Sequence, residues 1–116
     1  MIFRIEGGEV ELCKTVGMWI GIFDDIEEMV KDHILVLERG DVMLLYTDGI
    51  TEAWEKGIHP EDQGDVSKIF GAEKLKDAFL DLGKESPENI KNGILKELEN
   101  FDCRDDVTLV VVKRIQ

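Results

Sequence analysis

The fold is organised around residues 40–53, which read GDVMLLYTDGITEA. The run from Val42 to Tyr46 is apolar or aromatic without alternation, which predicts a strand covered on both faces. Asp48 follows this strand, and Gly49 lets the backbone turn sharply or approach a ligand closely. A carboxylate held there is a candidate ligand for Mg²⁺ or Mn²⁺, which prefer carboxylate and water oxygens. The alternative is that Asp48 only forms a turn or caps a helix that begins near Thr51.

Length and charge narrow the classes of protein to consider. A chain of 116 residues fits one domain, 1–116. Its 26 acidic and 14 basic residues give a formal charge of −12, which argues against nucleic acid or an anionic membrane surface as a partner. No apolar run reaches the roughly 18 residues of a membrane helix, and no secretory signal pattern follows Met1. Cys13 and Cys103 match no metal-binding spacing and are predicted to be reduced thiols of a cytoplasmic protein, with a disulfide as the alternative.

The first third of the chain predicts further strands. Gly7-Gly8 separates Ile2–Ile5 from Glu9–Cys13, which indicates a tight hairpin. Ile34–Leu37 is predicted to be another strand, joined by a tight turn to the central one and antiparallel to it. Trp19 is expected in the core, and the segment 55–67, which contains His59, is expected to be a surface loop.

Two helices are predicted in the second half of the chain. The first has an apolar stripe and Gly83 at its end; the stripe consists of Leu75, Ala78, Phe79 and Leu82. The second begins with Ser86 as N-cap and Pro87 as its first residue. Its expected stripe consists of Ile90, Ile94, Leu98 and Phe101. The two helices should pack as a hairpin on one side of the sheet.

A pair of carboxylates precedes the last predicted strand. Asp105 and Asp106 lead into an apolar, β-branched run that ends at Val112. Adjacent acids at such a place can be only a charged turn. If this strand lies antiparallel beside the central one, however, Asp48 and Asp105 share one edge of the sheet and could reach one ion, although they lie 57 residues apart.

Taken together, three motifs resemble the metal-dependent protein serine/threonine phosphatases of the PPM type. They are residues 40–53, Phe70-Gly71 at the start of a helix, and Asp105-Asp106-Val107-Thr108 at the start of the last strand. The resemblance is to the bacterial branch that comprises the stage II sporulation E phosphatase and the regulators that dephosphorylate anti-sigma-factor antagonists. It extends from about Gly17 to Arg114. Tyr-Thr-Asp-Gly-x-Thr-Glu-Ala with a later Asp-Asp-x-Thr is far more specific than either motif alone.

The resemblance implies a metal site and a reaction. Asp48 and Asp105 would be metal ligands, Gly49 would belong to the same site, and Asp106 would be a secondary candidate because related enzymes can have asparagine there. Two Mn²⁺ or Mg²⁺ ions would activate a water for attack on a phosphoserine or phosphothreonine of a regulatory protein, such as an anti-sigma-factor antagonist. No side chain of this chain is expected to be a nucleophile or an acid–base catalyst. Thr51-Glu52 matches positions interpreted as capping a following helix.

The resemblance also implies a fold. We expect an α/β (α+β) chain with a mainly antiparallel β-sheet and a helical pair on one face, as part of an αββα phosphatase sandwich. The remaining family ligands, an aspartate pair and a glycine carbonyl, lie in an N-terminal half that precedes the motifs present here. The chain is therefore expected to be the C-terminal portion of a PPM-type domain and to be weakly active alone.

If the chain is only part of a domain, two further possibilities follow. An apolar sheet face would be exposed, and a homo-oligomer could cover it. The chain could also be a non-catalytic interaction module derived from a phosphatase, which binds a partner through its acidic surface or a sheet edge.

Overall fold

The computed structural model describes residues 1–13, 24–25, 27, 30, 32–58 and 64–116. Its strands are β1 (Ile2–Arg4), β2 (Glu9–Glu11), β3 (Val42–Tyr46), β4 (Trp54–Glu55), β5 (Phe101–Asp102) and β6 (Leu109–Lys113). Its α-helices are α1 (Asp48–Thr51), α2 (Gly71–Leu82) and α3 (Pro87–Leu98), and a 3₁₀ turn spans Val66–Lys68. The predictions for Trp19 and His59 fall outside the described residues.

The strands form a four-stranded sheet in the order β2-β1-β3-β6 and a two-stranded sheet of β4 and β5. Every pairing between these strands is antiparallel. The predicted hairpin is confirmed, with Ile2 opposite Glu11. Gly8 at its turn has a φ of 63°, which glycine adopts at low cost. The predicted class, α+β with a mainly antiparallel sheet, is therefore confirmed.

The helical pair lies on one face of the large sheet, as predicted. Val42 and Leu44 of β3 are fully buried on this face. They share one apolar core with side chains of α2 and α3, namely Leu75, Phe79, Ile90, Ile94 and Leu98. Ser86 caps α3, because its hydroxyl accepts a hydrogen bond from the Asn89 N–H at 3.2 Å. Phe101 lies in β5 instead of on the α3 stripe, and its ring packs edge-on against Phe70.

The other face of β3 is open, which contradicts the prediction of a strand covered on both faces. Leu45 is 51% exposed, and Met43 is only half-buried. On β6, the opposing Val110 and Val112 are exposed as well. An unbroken apolar run indicates double coverage only where a second layer exists, and the described helices α2 and α3 provide one layer. The expected exposed apolar sheet face is therefore present.

The segment Ile34–Leu37 is not a strand, so its predicted pairing with β3 is wrong. β3 already pairs with β1 along one edge and with β6 along the other. A strand has only two hydrogen-bonding edges, which leaves no place for a third neighbour. The side chain of Ile34 is 95% exposed.

Asp41 ties the hairpin to the start of β3. Its carboxylate is buried and accepts hydrogen bonds from the Ile5 N–H at 3.0 Å, the Glu38 N–H at 2.9 Å and the Arg4 guanidinium at 2.8 Å. Burial by itself would raise the pKa of Asp41. The hydrogen bonds from Ile5, Arg4 and Glu38 outweigh it and hold the pKa below its usual value.

We predict that Asp41→Asn lowers the free energy of unfolding by about 2–3 kcal/mol at pH 7, because Arg4 loses its buried partner. Since the folded pKa is depressed, the wild-type carboxylate stabilises the fold above its unfolded pKa of about 3.9, and this contribution is lost as the pH falls through the folded value. The variant should lack this acid-dependent loss. Urea unfolding at several pH values measures both effects.

The matched control is Glu11→Gln, which removes the other carboxylate paired with Arg4. Glu11 is exposed, so its loss should cost less than about 1 kcal/mol. Equal losses in the two variants would contradict the role assigned to Asp41.

Candidate metal centre

The pairing of β3 with β6 brings the candidate carboxylates to one rim of the sheet. Tyr46 lies opposite Leu109 at the last pair of the ladder. The Thr47 N–H donates to the Thr108 carbonyl at 3.1 Å and extends the pairing beyond that point. Asp48 leaves this end of β3, and Asp105-Asp106 approaches the same end of β6.

The Thr47 side chain fastens the two segments together. Its hydroxyl donates to the Asp106 carbonyl at 3.1 Å and accepts from the Thr108 N–H at 3.0 Å. The backbone on either side of Val107 is therefore held against the start of α1. The family motif contains this threonine, but sequence reasoning gave it no role.

Gly49 is the point of closest approach between the two segments. It is buried, and a Cβ atom on it would lie 2.4 Å from the Asp106 carbonyl oxygen and 3.1 Å from that of Asp105. No side chain fits at that distance from the backbone. Glycine therefore serves here to let the Asp48 segment contact the segment that carries Asp105 and Asp106.

The carboxylates themselves face solvent. The side chains of Asp48, Asp105 and Asp106 are exposed, and Asp105 accepts a hydrogen bond from the Asp106 N–H at 2.8 Å. Asp48 is the first residue of α1, and Thr47 occupies the N-cap position, so the alternative that Asp48 caps a helix near Thr51 is wrong. The structure thus brings the predicted residues to one rim.

The interpretation of Thr51-Glu52 as a cap of a following helix is also wrong. Both residues end α1: the Thr51 hydroxyl and the Glu52 N–H donate to the Asp48 carbonyl at 3.4 Å and 2.8 Å. The next element is β4, which carries Trp54.

The carboxylates of the rim are ligands of the kind that suits a hard cation, but they are few. Carboxylate oxygens are ligands that Mg²⁺ and Mn²⁺ prefer. Mg²⁺ binds six ligand atoms in octahedral geometry, and several of them are usually waters. In the part of the chain that the structure describes, no three side chains of the His, Cys, Asp and Glu types are arranged to hold a metal. A cation at this rim would therefore take only part of its coordination shell from the described carboxylates, and water or other groups would complete it.

A groove that sequence reasoning missed begins at this rim. Its volume is about 320 Å³, and its lining consists of Gly49, Glu52, Trp54, Ile69, Arg104 and Asp105. Trp54 of β4 lines the groove, and β4 is paired with β5, with Trp54 opposite Asp102. Strands of two residues carry no periodicity, so the sequence gives no signal for them.

Comparisons with known proteins agree with the motifs. The family model described as Stage II sporulation protein E (SpoIIE) matches residues 1–115. The phosphoserine phosphatase RsbU of Bacillus subtilis (strain 168) is 31% identical over 99 residues, which cover 84% of this chain and 27% of RsbU. The chain thus spans about a quarter of the length of this curated relative. No solved structure matches it. Among the described residues, none of the helices has the length and apolar character to span a membrane.

We predict that Gly49→Ala separates the two segments of the rim. The added methyl group meets backbone atoms that have little room to move, so we expect a loss of about 1–3 kcal/mol in the free energy of unfolding. The amide NMR resonances of Asp105 and Asp106 should shift.

Gly64→Ala is the control, because a Cβ atom there has no neighbour within 4 Å among the residues that the structure describes. It should change stability by less than about 0.5 kcal/mol. Unchanged Asp105 and Asp106 resonances in Gly49→Ala would show that the close contact is absent in solution.

Proposed function

This chain belongs to the Stage II sporulation protein E (SpoIIE) family, and we propose that it forms part of a metal-dependent phosphatase that removes phosphate from serine or threonine of a regulatory protein. The observation that supports the proposal is the close approach of Gly49 to the Asp105-Asp106 backbone, which joins the two segments that carry the candidate carboxylates. The relative RsbU is a phosphoserine phosphatase, which favours phosphoserine as the substrate group.

In this proposal the exposed carboxylates hold Mn²⁺ or Mg²⁺. Asp48 and Asp105 are the principal ligands, Asp106 is a weaker one, and Gly49 allows their approach. When bound, such ions lower the pKa of water and offset the negative charge of phosphoryl oxygens. Thr47 keeps the two segments in register through its hydrogen bonds with Asp106 and Thr108. The exposure of the rim gives a phosphorylated protein direct access.

The domain context of the chain and its cellular role are proposed from the same resemblance. We propose that residues 1–116 fold as one domain, the C-terminal portion of a PPM-type catalytic domain, and that further ligands come from the rest of that domain. The small donor set in the described residues supports this division. The expected role is signal transduction in a bacterial cytoplasm, through dephosphorylation of a protein that regulates a sigma factor.

We predict that Asp48→Asn and Asp105→Asn each weaken Mn²⁺ binding at least about tenfold, since each removes an anionic ligand. Asp106→Asn should weaken it about twofold to threefold. Isothermal titration calorimetry measures the affinities. Release of phosphate from a phosphoserine peptide with Mn²⁺ measures the activity, which should be low in the isolated chain.

Asp77→Asn is the matched control, because Asp77 is exposed on α2 and belongs to a different surface. It should leave Mn²⁺ affinity unchanged. Equal Mn²⁺ affinity in Asp48→Asn, Asp105→Asn and the wild type would refute the proposed metal site.

One observation favours a second candidate, a non-catalytic interaction module. Leu45 lies opposite Val110 and Met43 lies opposite Val112, so the open sheet face is a continuous apolar patch. A contiguous exposed apolar patch commonly marks a protein interface. We propose that a second copy of the chain covers this face when the chain is isolated.

We predict that Leu45→Lys abolishes this association, because it places a charge in the middle of the patch. Light scattering after gel filtration should give a mass above 13.2 kDa for the wild type at high concentration and the monomer mass for the variant. Leu80→Lys is the control, since Leu80 is an exposed leucine on α2. A wild type that stays monomeric at every concentration would refute the interface.

A further inference from the structure

We propose that a groove on the helical layer is a docking site for a basic segment of a partner protein, which carries arginines at alternate positions. The groove has a volume of about 300 Å³, and residues of α2, α3 and β5 line it. It shares no lining residue with the groove beside the candidate metal centre. The proposal is therefore independent of the proposed phosphatase function.

The apolar part of this groove is held in place by packing. Phe70 is buried, and its ring contacts that of Phe101 edge-on, with centroids 5.1 Å apart. The Phe70 N–H also donates to the Ala53 carbonyl at 2.8 Å. Phe101 and Ala78 are half-buried and line the groove beside it. They offer an apolar surface on which the methylene groups of a long cationic side chain can pack.

Three exposed carboxylates line the same groove, those of Asp77 and Asp81 on α2 and of Glu97 on α3. Within the described part of the chain, none of the three has an ion-pair partner. They are not arranged to share a metal ion either, since no group of three such side chains among the described residues could hold one. Separate cationic groups on a partner protein match these carboxylates better than a single ion.

The groove already contains one cation of the chain itself. The Lys74 ammonium lies over the Phe101 ring, 5.2 Å from its centroid, a distance at which cation–π attraction is significant. It donates to the Ile69 carbonyl at 2.8 Å and to the Ser67 carbonyl at 3.3 Å. Lys74 is thus engaged by these groups, and the carboxylates remain available to a cationic partner.

Spacing and chemistry select the occupant. Asp77 and Asp81 lie four positions apart in α2, which corresponds to about 6 Å along the helix axis. In an extended segment, alternate side chains point to the same side and lie about 6.6–6.8 Å apart. Arginines at alternate positions could therefore meet both carboxylates. A guanidinium binds a carboxylate through two N–H groups, and its stem suits the apolar surface.

Peptide binding to the folded chain tests this assignment. Three short peptides of glycine and serine would carry Arg, Gln or Glu at two alternate positions, and fluorescence anisotropy at physiological ionic strength would give their affinities. We expect the Arg peptide to bind about fivefold more tightly than the Gln peptide, as two exposed ion pairs allow, and the Glu peptide to bind most weakly. The double variant Asp77→Asn, Asp81→Asn should bring the Arg and Gln peptides within twofold of one another.

The charge-matched control is the double variant Glu73→Gln, Glu88→Gln. It removes two exposed carboxylates that do not line the groove and should keep the preference for the Arg peptide. An equal loss of preference in both double variants would overturn the proposal, because it would mean that the Arg peptide is attracted only by the overall negative charge of the chain. Equal affinity of the wild type for all three peptides would overturn it as well.

A second variant tests the groove itself. Ala78→Met fills the groove and leaves its carboxylates in place, and methionine is a good helix former. We expect it to weaken binding of the Arg peptide at least about fivefold, with urea unfolding as the check that the variant is folded. Unchanged affinity in folded Ala78→Met would show that the peptide does not enter the groove and would overturn the assignment.

Discussion

The antiparallel pairing of β3 with β6 is the constraint on which the candidate site depends. Asp48 follows β3 and Asp105 precedes β6, and the two residues lie 57 positions apart in the chain. Only the register of the two strands brings these positions to the same rim. Thr47 and Gly49 extend this proximity past the last ladder pair through hydrogen bonds and close backbone contact. The site is thus a product of sheet topology, with no local sequence segment that contains it.

The charged side chains at the two ends of β3 are placed so that the free-energy cost of desolvating them stays low. The carboxylates of the rim are exposed, so water solvates them when no ion is bound. Asp41 is the one charged side chain that is buried among the described residues, and three hydrogen bonds compensate for its burial. The fold therefore fixes one end of β3 with a satisfied ion pair and leaves acidic groups open at the other, where a cation and a phosphorylated protein could approach.

Local signals in the sequence predicted the local structure well. The apolar stripe around Phe79, the Ser86-Pro87 helix start and the Gly7-Gly8 turn each act within a few residues, and the structure contains all three elements. Features that depend on contacts between distant parts of the chain were harder to predict from the sequence. Ile34–Leu37 has strand composition but is excluded because both edges of β3 are occupied. The β4–β5 pair, which includes Trp54, consists of strands too short to leave a pattern in the sequence. The placement of Asp48 and Asp105 at the same rim of the sheet was predictable only through the assumption that β3 and β6 are antiparallel neighbours.

Paramagnetic broadening by Mn²⁺ would test most directly whether the rim is a metal site. In an amide NMR spectrum of the folded chain, small additions of Mn²⁺ should first broaden the signals of Asp48, Gly49, Asp105 and Asp106, with Mg²⁺ restoring them by competition. Broadening that begins among the acidic residues between 24 and 32, or that affects Asp48 without Asp105, would contradict a shared site at the joined ends of β3 and β6.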